Sequence, residues 1–319
     1  MSALHVDVDK AQLRKLYNDL DPRIKSDAKI ILLPVAVSEG KVYAMDNKTG
    51  EPVVFDFARA TSATYFDCDS TIKSAAVNIP RIDYLTGIPG LLMEPQSTNY
   101  FIRTGPGNLG NITITQTDEL AFGYQDFVQI ASNNSNSFQQ IRWNSTSPMI
   151  ISIALKKQLG GSSSIMAYNA QGYEISGAVG IGEVLYGNAS ISPGRIQAEK
   201  YCNHSPDGTA SIVTYKLENV ANNGFWGLYP GLNSVDNANK AVRYAMPQQE
   251  RNRTEATSYI PTTTSQATRS ADLMSYTMTE ESAVYIKTNK DEKNLTVPEG
   301  EWNIHSIMNN ERIQLLIIY

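Results

Sequence analysis

The sequence predicts an all-β protein built as a sandwich or jelly roll, and three observations carry that expectation. Charged residues make up only 18% of the 319, against a usual share of about 25%. Asn, Ser, Thr and Gly fill the gap, joined by 17 Tyr. Short apolar runs recur along the chain and are separated by turn residues, the pattern of many short strands.

The same composition excludes several classes. A helical bundle needs dense Glu, Lys, Arg, Ala and Leu. A nucleic-acid binder needs surplus base, whereas 27 basic against 32 acidic residues give a net charge of −5, so no nucleic-acid partner is expected. No apolar run approaches the roughly 18 residues of a membrane helix; the longest, Ile30–Val37, is interrupted by Pro34. The start, Met1–Asp9, lacks a basic-then-apolar leader. Two cysteines, Cys68 and Cys202, are too few for a disulfide framework.

Taken in order, residues 9–20 carry a helical period. Leu13, Leu16, Tyr17 and Leu20 fall at i, i+3, i+4 and i+7 and form one apolar stripe, which Pro22 ends. Such a short helix must dock on its own domain, a sister chain or another protein. From Ile30 the period becomes that of strands. Ile30–Val37 is β-rich, with Pro34 marking an edge or bulge. Lys41–Met45 and Val53–Phe57 follow, joined by the Asp46–Gly50 turn. Met149–Leu155 is continuously apolar, as expected of a strand covered on both faces. Further strands are expected at Ser164–Tyr168, Ala178–Leu185, Arg195–Tyr201, Ala210–Leu217, Phe225–Tyr229 and Ala241–Met246. Beyond Met274, Ala283–Lys287 reads as a strand, and Trp302–Met308 with Arg312–Tyr319 reads as a hairpin around Asn309-Asn310. Ile313 and Leu315–Ile318 hardly alternate, so something must hide that last strand or it would aggregate. The expected organisation is a helical N-terminal anchor over 1–29, a β-sandwich module over 30–272 and a small C-terminal β-rich segment over 273–319.

Two segments go beyond composition. The first starts at Phe57-Ala58-Arg59-Ala60-Thr61-Ser62-Ala63-Thr64-Tyr65, continues from Ile72 through Asn78-Ile79-Pro80-Arg81-Ile82-Asp83-Tyr84, and closes on Gly90-Leu91-Leu92-Met93-Glu94-Pro95-Gln96-Ser97-Thr98-Asn99. The second is Glu255-Ala256-Thr257-Ser258-Tyr259-Ile260-Pro261-Thr262, followed by Ala267-Thr268-Arg269-Ser270-Ala271-Asp272. Both resemble blocks that recur, in this order, in bacteriophage virion proteins of the tail-fibre and head-fibre kind. Ser97 departs from that pattern, which often has Arg there. The resemblance implies a concanavalin-A-like or carbohydrate-binding-module-like β-sandwich between the blocks. It also implies a virion location reached by assembly in the bacterial cytoplasm, contacts with other virion proteins of capsid or tail through the N-terminal region, and a homo-oligomer, commonly threefold. Host surface glycan is the further partner it suggests. The blocks have a plain physical use as well: Arg59 and Arg269 lie among small residues, where they can pair with Asp83, Glu94 or Asp272 and lock both ends of the module.

Catalytic chemistry is not written in the sequence. A glycosidase needs two opposed carboxylates, and no strand shows the alternating acids of a concanavalin-type glucanase. Glu280 and Glu281 are adjacent and would point to opposite faces of a strand. Of the three histidines, His5 lies in the N-terminal arm and His204 in a polar turn, and no Gly-x-Ser-x-Gly elbow accompanies them. Cys202 and His204 would lack two ligands for a transition metal, and Asp67-Cys68-Asp69 reads as a β-turn before a calcium loop. No nucleotide loop or dinucleotide fingerprint is present. No catalytic residue, metal or cofactor is therefore expected. Sugar stacking is served by Trp143, Tyr173, Trp226 and Tyr229, with Gln139, Gln140, Arg142 and Asn144 near the first; core packing competes for each of these aromatics. The expected virion or oligomer contacts are Leu13, Leu16, Tyr17 and Leu20. The leading expectation is a non-enzymatic virion structural protein, then a glycan-binding adhesin, with a capsule depolymerase ranking below both.

Overall fold

Antiparallel strands dominate the chain in the computed structural model. It describes residues 17–19, 26–102, 108–110, 112–132, 137–142, 147–156, 163–168, 181–182, 184–185, 188–189, 200–204, 210–217, 225–231 and 241–319. The protein is all-β, as the composition predicts, and the only helical turns among the described residues are 17–19 and Ile304–Ile307. Packing divides the chain into two units: residues 1–97 with 269–319, and residues 98–268. These boundaries differ from those expected at 29/30 and 272/273. The physical reason is that the tail after 273 pairs with the N-terminal strands and shares their core, so the second unit is an insertion in the first.

The first unit is organised on one large antiparallel sheet. Its strands run Glu292–Val297, Ser282–Thr288, Glu311–Ile318, Ile30–Leu32, Lys41–Asp46, Pro52–Ala58, Leu273–Met278 and Gly300–Asn303 in spatial order. Alternation decides which face is inside. In Pro52–Ala58, Phe55 and Phe57 are buried while Val54, Asp56 and Ala58 are exposed. In Lys41–Asp46, Val42 and Ala44 join the same core, together with Leu91, Met274, Ile286, Trp302 and Leu316.

Glu311–Ile318 is the central element. It pairs with Ser282–Thr288 on one side and Ile30–Leu32 on the other, while its first residues also pair with Gly90–Met93. A bulge opposite Lys287 and Thr288 skips Gln314 in the pairing. It puts Ile313, Leu316 and Ile318 into one core, while Ile317 packs with Ala28 and Ile31 in another. That local break explains the apolar run without alternation. The same chain hides the strand, as the sequence required. A C-terminal hairpin exists, but it is formed by Ser282–Thr288 and Glu292–Val297, not by the pair expected at 302–308 and 312–319. Trp302 instead lies on a strand paired to Leu273–Met278, and a 3-10 turn over Ile304–Ile307 follows it. Pro34 likewise ends its strand at Leu32, and the chain turns there instead of continuing to Val37.

Tyr17 packs on the second face of this sheet, against the Ala36–Met45 cluster and the cluster of Ala28, Ile31 and Ile317. Its hydroxyl donates to Asn47 Oδ1, and Asn47 Nδ2 donates to the Ala28 carbonyl at 2.7 Å. Tyr17 thus docks within its own chain.

At Gly90 the chain approaches the final strand closely. A Cβ there would sit 2.7 Å from Arg312 Cβ, and both atoms belong to backbone-fixed positions in paired strands. Gly90→Ala is expected to destabilise the unit by about 1–3 kcal/mol, the usual cost of overpacking; urea denaturation should show it as a lower midpoint.

The second unit contains two larger antiparallel sheets. One orders Ile112–Ala121, Gln125–Ser132, Ala241–Arg251, Met149–Lys156, Ala210–Leu217 and Lys200–His204; the other orders Asn108–Gly110, Ser137–Arg142, Phe225–Gly231, Ser163–Tyr168 and Ile181–Gly182. Contacts such as those of Gln125–Ser132 with Phe225–Gly231 bring the sheets together. All seven residues of Met149–Leu155 are buried, as their apolar run predicts. In Ile112–Ala121 a bulge between Gln116 and Leu120 interrupts the pairing. Glu119 in this segment accepts from Lys156 Nζ at 2.6 Å and Arg243 Nη1 at 2.5 Å. The Lys156 hydrogen bond, helped by the charges of Lys156 and Arg243, holds the Glu119 carboxyl below its ordinary range. A lowered folded-state value means the contribution is present above the ordinary glutamate range and fades as pH falls through the folded value. With Glu119 46% exposed, the effect is under about 1 kcal/mol. Glu119→Gln should flatten the acid limb of a stability–pH curve by that small amount.

Candidate functional site

Five charged residues of the two sequence segments, Arg59, Arg81, Glu94, Arg269 and Asp272, meet in one buried ionic cluster in the first unit. Arg59 leaves the end of Pro52–Ala58. Arg81 follows Pro80 and precedes the short strand Ile82–Asp83. Glu94 follows Gly90–Met93, Arg269 ends Ala267–Arg269, and Asp272 precedes Leu273–Met278. The side chains of all five are 0–1% exposed.

Asp272 is the hub. Its Oδ1 accepts from Arg59 Nη1 at 3.1 Å, and its Oδ2 accepts from Arg81 Nη2 and from the Glu94 backbone N–H at 2.8 Å. Its own N–H donates to the Glu94 carbonyl at 2.9 Å. Glu94 accepts from Arg81 Nη1 at 2.8 Å and from Arg269 Nη1. Three guanidinium groups therefore share two carboxylates, and backbone carbonyls take up the surplus donors. Arg59 donates to Thr61, Ala76 and Ile79, Arg81 to Thr64, and Arg269 to Pro95, all at 2.7–2.9 Å. The carbonyls thus take up several of the donors that the two carboxylates leave over. Burial, with the charge of Arg81 beside it, lowers the Arg59 pKa. For Arg81 burial acts the same way, but Asp272 and Glu94 outweigh it and raise the value.

A companion pair stands close by in sequence. Asp83 Oδ1 accepts from Arg312 Nε, and Asp83 Oδ2 accepts the Phe66 N–H at 2.8 Å. Arg312 belongs to the final strand, so this pair ties the C-terminus to the first block. In the second unit the Glu255–Thr262 block is held by a different set. Glu250 accepts the Thr257 N–H at 3.0 Å and its hydroxyl at 2.7 Å, Gln248 accepts the Ile260 N–H at 2.7 Å, and Asn99 donates to the Ile260 carbonyl at 2.8 Å.

The chemistry of the Arg–Asp–Glu cluster is that of a lock. Its carboxylates are buried and each is paired with two guanidinium groups. Sequence reasoning named Arg59 and Arg269 with Asp83, Glu94 and Asp272 as candidate partners. Arg59–Asp272 and Arg269–Glu94 form, whereas Asp83 pairs elsewhere. Arg81 and Arg312 were not singled out. Arg81 could have been found, since it lies within the first segment directly before Ile82-Asp83.

The other expected residues fall as follows. Trp143, Tyr173, Leu13, Leu16 and Leu20 lie outside the described residues. Trp226 and Tyr229 are on the middle strand of the five-stranded sheet, with Trp226 paired to Ile141 and Ala167 and Tyr229 to Ser164. Asp67-Cys68-Asp69 forms the turn of a hairpin between Ala63–Phe66 and Ile72–Ala75, closed by Ser70 N–H to the Asp67 carbonyl at 2.9 Å. Cys68 is a free, exposed thiol. Glu280 sits in a bend and pairs with Lys29 at 2.8 Å. Among the described residues no group of His, Cys, Asp or Glu could hold a metal ion, and no helix is long and apolar enough to cross a membrane. Compared with models of known protein families and with curated proteins, the sequence has no match.

Proposed function

We propose that the protein is a non-enzymatic structural component of a bacteriophage virion, of the head-fibre or tail-fibre kind. It assembles with other virion proteins and with copies of itself, and presents residues 98–268 as a β-rich body on the particle surface. The observation that carries this reading is the identity of the lock residues. Arg59, Arg81, Glu94, Arg269 and Asp272 are members of the two blocks that resemble virion fibre proteins, and they meet in one buried cluster. A block whose charged residues exist to close a framework around an insertion suits a display protein better than an enzyme. Antibodies against the chain should decorate phage particles purified from a culture of the organism that encodes it, seen by negative-stain electron microscopy. Particles that stay bare, with the chain also missing from their peptide digest, would reject the reading.

Trp226 and Tyr229 favour glycan binding as a second reading, because a middle strand paired on both sides gives an aromatic a rigid support. A glycan array should then show binding that Trp226→Ala removes. An array without hits counts against it and leaves the structural role intact.

A further inference from the structure

Residues 98–268 interrupt the first unit, so the chain crosses between the units twice. The crossings, Ser97–Asn99 and Ala267–Arg269, pair with each other as a two-stranded ladder. Each unit holds its own side of this neck. In the first unit Arg269 donates to Glu94 and, at 2.7 Å, to the Pro95 carbonyl. Asp272 and Glu94 add two bonds, the Asp272 N–H to the Glu94 carbonyl at 2.9 Å and the Glu94 N–H to Asp272 Oδ2 at 2.8 Å. The buried cluster therefore grips the chain just before it leaves and just after it returns. In the second unit the hydroxyls of Thr98 and Thr268 meet at 2.8 Å. Asn99 ties the outgoing strand to the Pro247 and Ile260 carbonyls at 3.1 and 2.8 Å.

Topology gives this neck a thermodynamic consequence. The first unit can form its cluster only with Ser97 and Arg269 held together. While residues 98–268 are unfolded, that closes a flexible loop of about 170 residues, and the entropic cost of closure rises with the logarithm of loop length. Once those residues are folded, their own ends already meet, and the first unit closes without that cost. We propose that the Arg–Asp–Glu cluster is a clasp at the neck that couples the stabilities of the two units. The folded second unit stabilises the first through the two crossings, and the closed clasp stabilises the second in return, since such coupling is reciprocal. A ligand or partner that binds folded residues 98–268 therefore also stabilises the first unit. The coupling does not depend on the virion reading.

The test is hydrogen exchange, read strand by strand on the full chain. Ile153 is fully buried in Met149–Lys156, and Ile153→Asp unfolds the second unit by setting a carboxylate in its core. Amide protection in Ser282–Thr288 and Glu311–Ile318 should then fall by about a hundredfold or more. A staple supplies the missing closure. Thr98→Cys with Thr268→Cys, in a Cys68→Ser, Cys202→Ser background, sets a disulfide where the two hydroxyls meet. Oxidising it in the Ile153→Asp chain should restore that protection while residues 149–156 stay unprotected, and reduction should remove it again. Unchanged protection of the first unit in Ile153→Asp overturns the proposal. So does a loss that the oxidised staple leaves in place, which would mean that the first unit needs more of the second than its closed ends. A staple that does not form in the otherwise wild-type chain overturns it too, because the neck would then stand open. If Ile153→Asp is insoluble, Ile153→Ala in urea just sufficient to unprotect residues 149–156 takes its place, and the same outcomes decide.

Discussion

Asp272→Asn is expected to cost the first unit about 3–5 kcal/mol, the usual penalty for breaking a buried ion pair from one side. The substitution keeps the shape and removes the charge. Arg59 and Arg81 are wholly buried and would then face a neutral amide, one end of which is itself a donor. Glu94 would be left to balance three guanidinium groups alone. The unit has about 150 residues, a size at which each kcal/mol moves the melting temperature by about 2–4 °C. A fall of about 10 °C in its calorimetric transition is the expected result. Glu280→Gln is the control, because its pair with Lys29 is exposed on both sides and solvent screening leaves it little weight. An Asp272→Asn protein that melts within about 2 °C of the wild type would show that the cluster is not a lock. A double-mutant cycle with Arg59→Met should return a coupling of about 1–3 kcal/mol, as expected for contacting residues.

The fold class was legible because composition and alternation are local properties. Phe55 and Phe57 alternate with polar or exposed neighbours, and Met149–Leu155 does not alternate because both faces are covered. The lock was legible in part for a similar reason: an Arg between alanines has no role on a surface strand and needs an acid somewhere. Which acid it meets is a long-range fact. Arg59 and Asp272 are 213 positions apart, and no local period encodes that pairing. The C-terminal pairing failed on the same ground. Trp302–Met308 and Arg312–Tyr319 are close in sequence and separated by a turn, so a hairpin is the local expectation. Tertiary pairing with Leu273–Met278 and Ile30–Leu32 wins instead, because it buries Trp302, Ile313 and Leu316 in one core. Insertion of residues 98–268 was invisible to local patterning, since both units are β-rich and Asn/Ser/Thr-rich.

Ending the chain after Asn310 is expected to prevent folding of the first unit altogether. The missing strand is the one that three others pair with, Ser282–Thr288, Ile30–Leu32 and Gly90–Met93. Ile313, Leu316, Ile317 and Ile318 are all at most 2% exposed. Burying each contributes about 1.5–3 kcal/mol, so the four together match the whole stability of an ordinary domain, about 5–15 kcal/mol. Deletion also strips Asp83 of Arg312 and leaves it buried without its cation, and it opens two strand edges inside the sheet. The truncated chain should be recovered mainly as aggregate, and any soluble fraction should lose protease resistance in residues 26–97. Leu316→Asp probes the same strand without shortening it and should give the same loss, since it sets a carboxylate in an apolar core. A truncated protein that stays soluble and melts at the wild-type temperature would show that the first unit closes without its last strand, contrary to the pairing of Glu311–Ile318 inside the sheet.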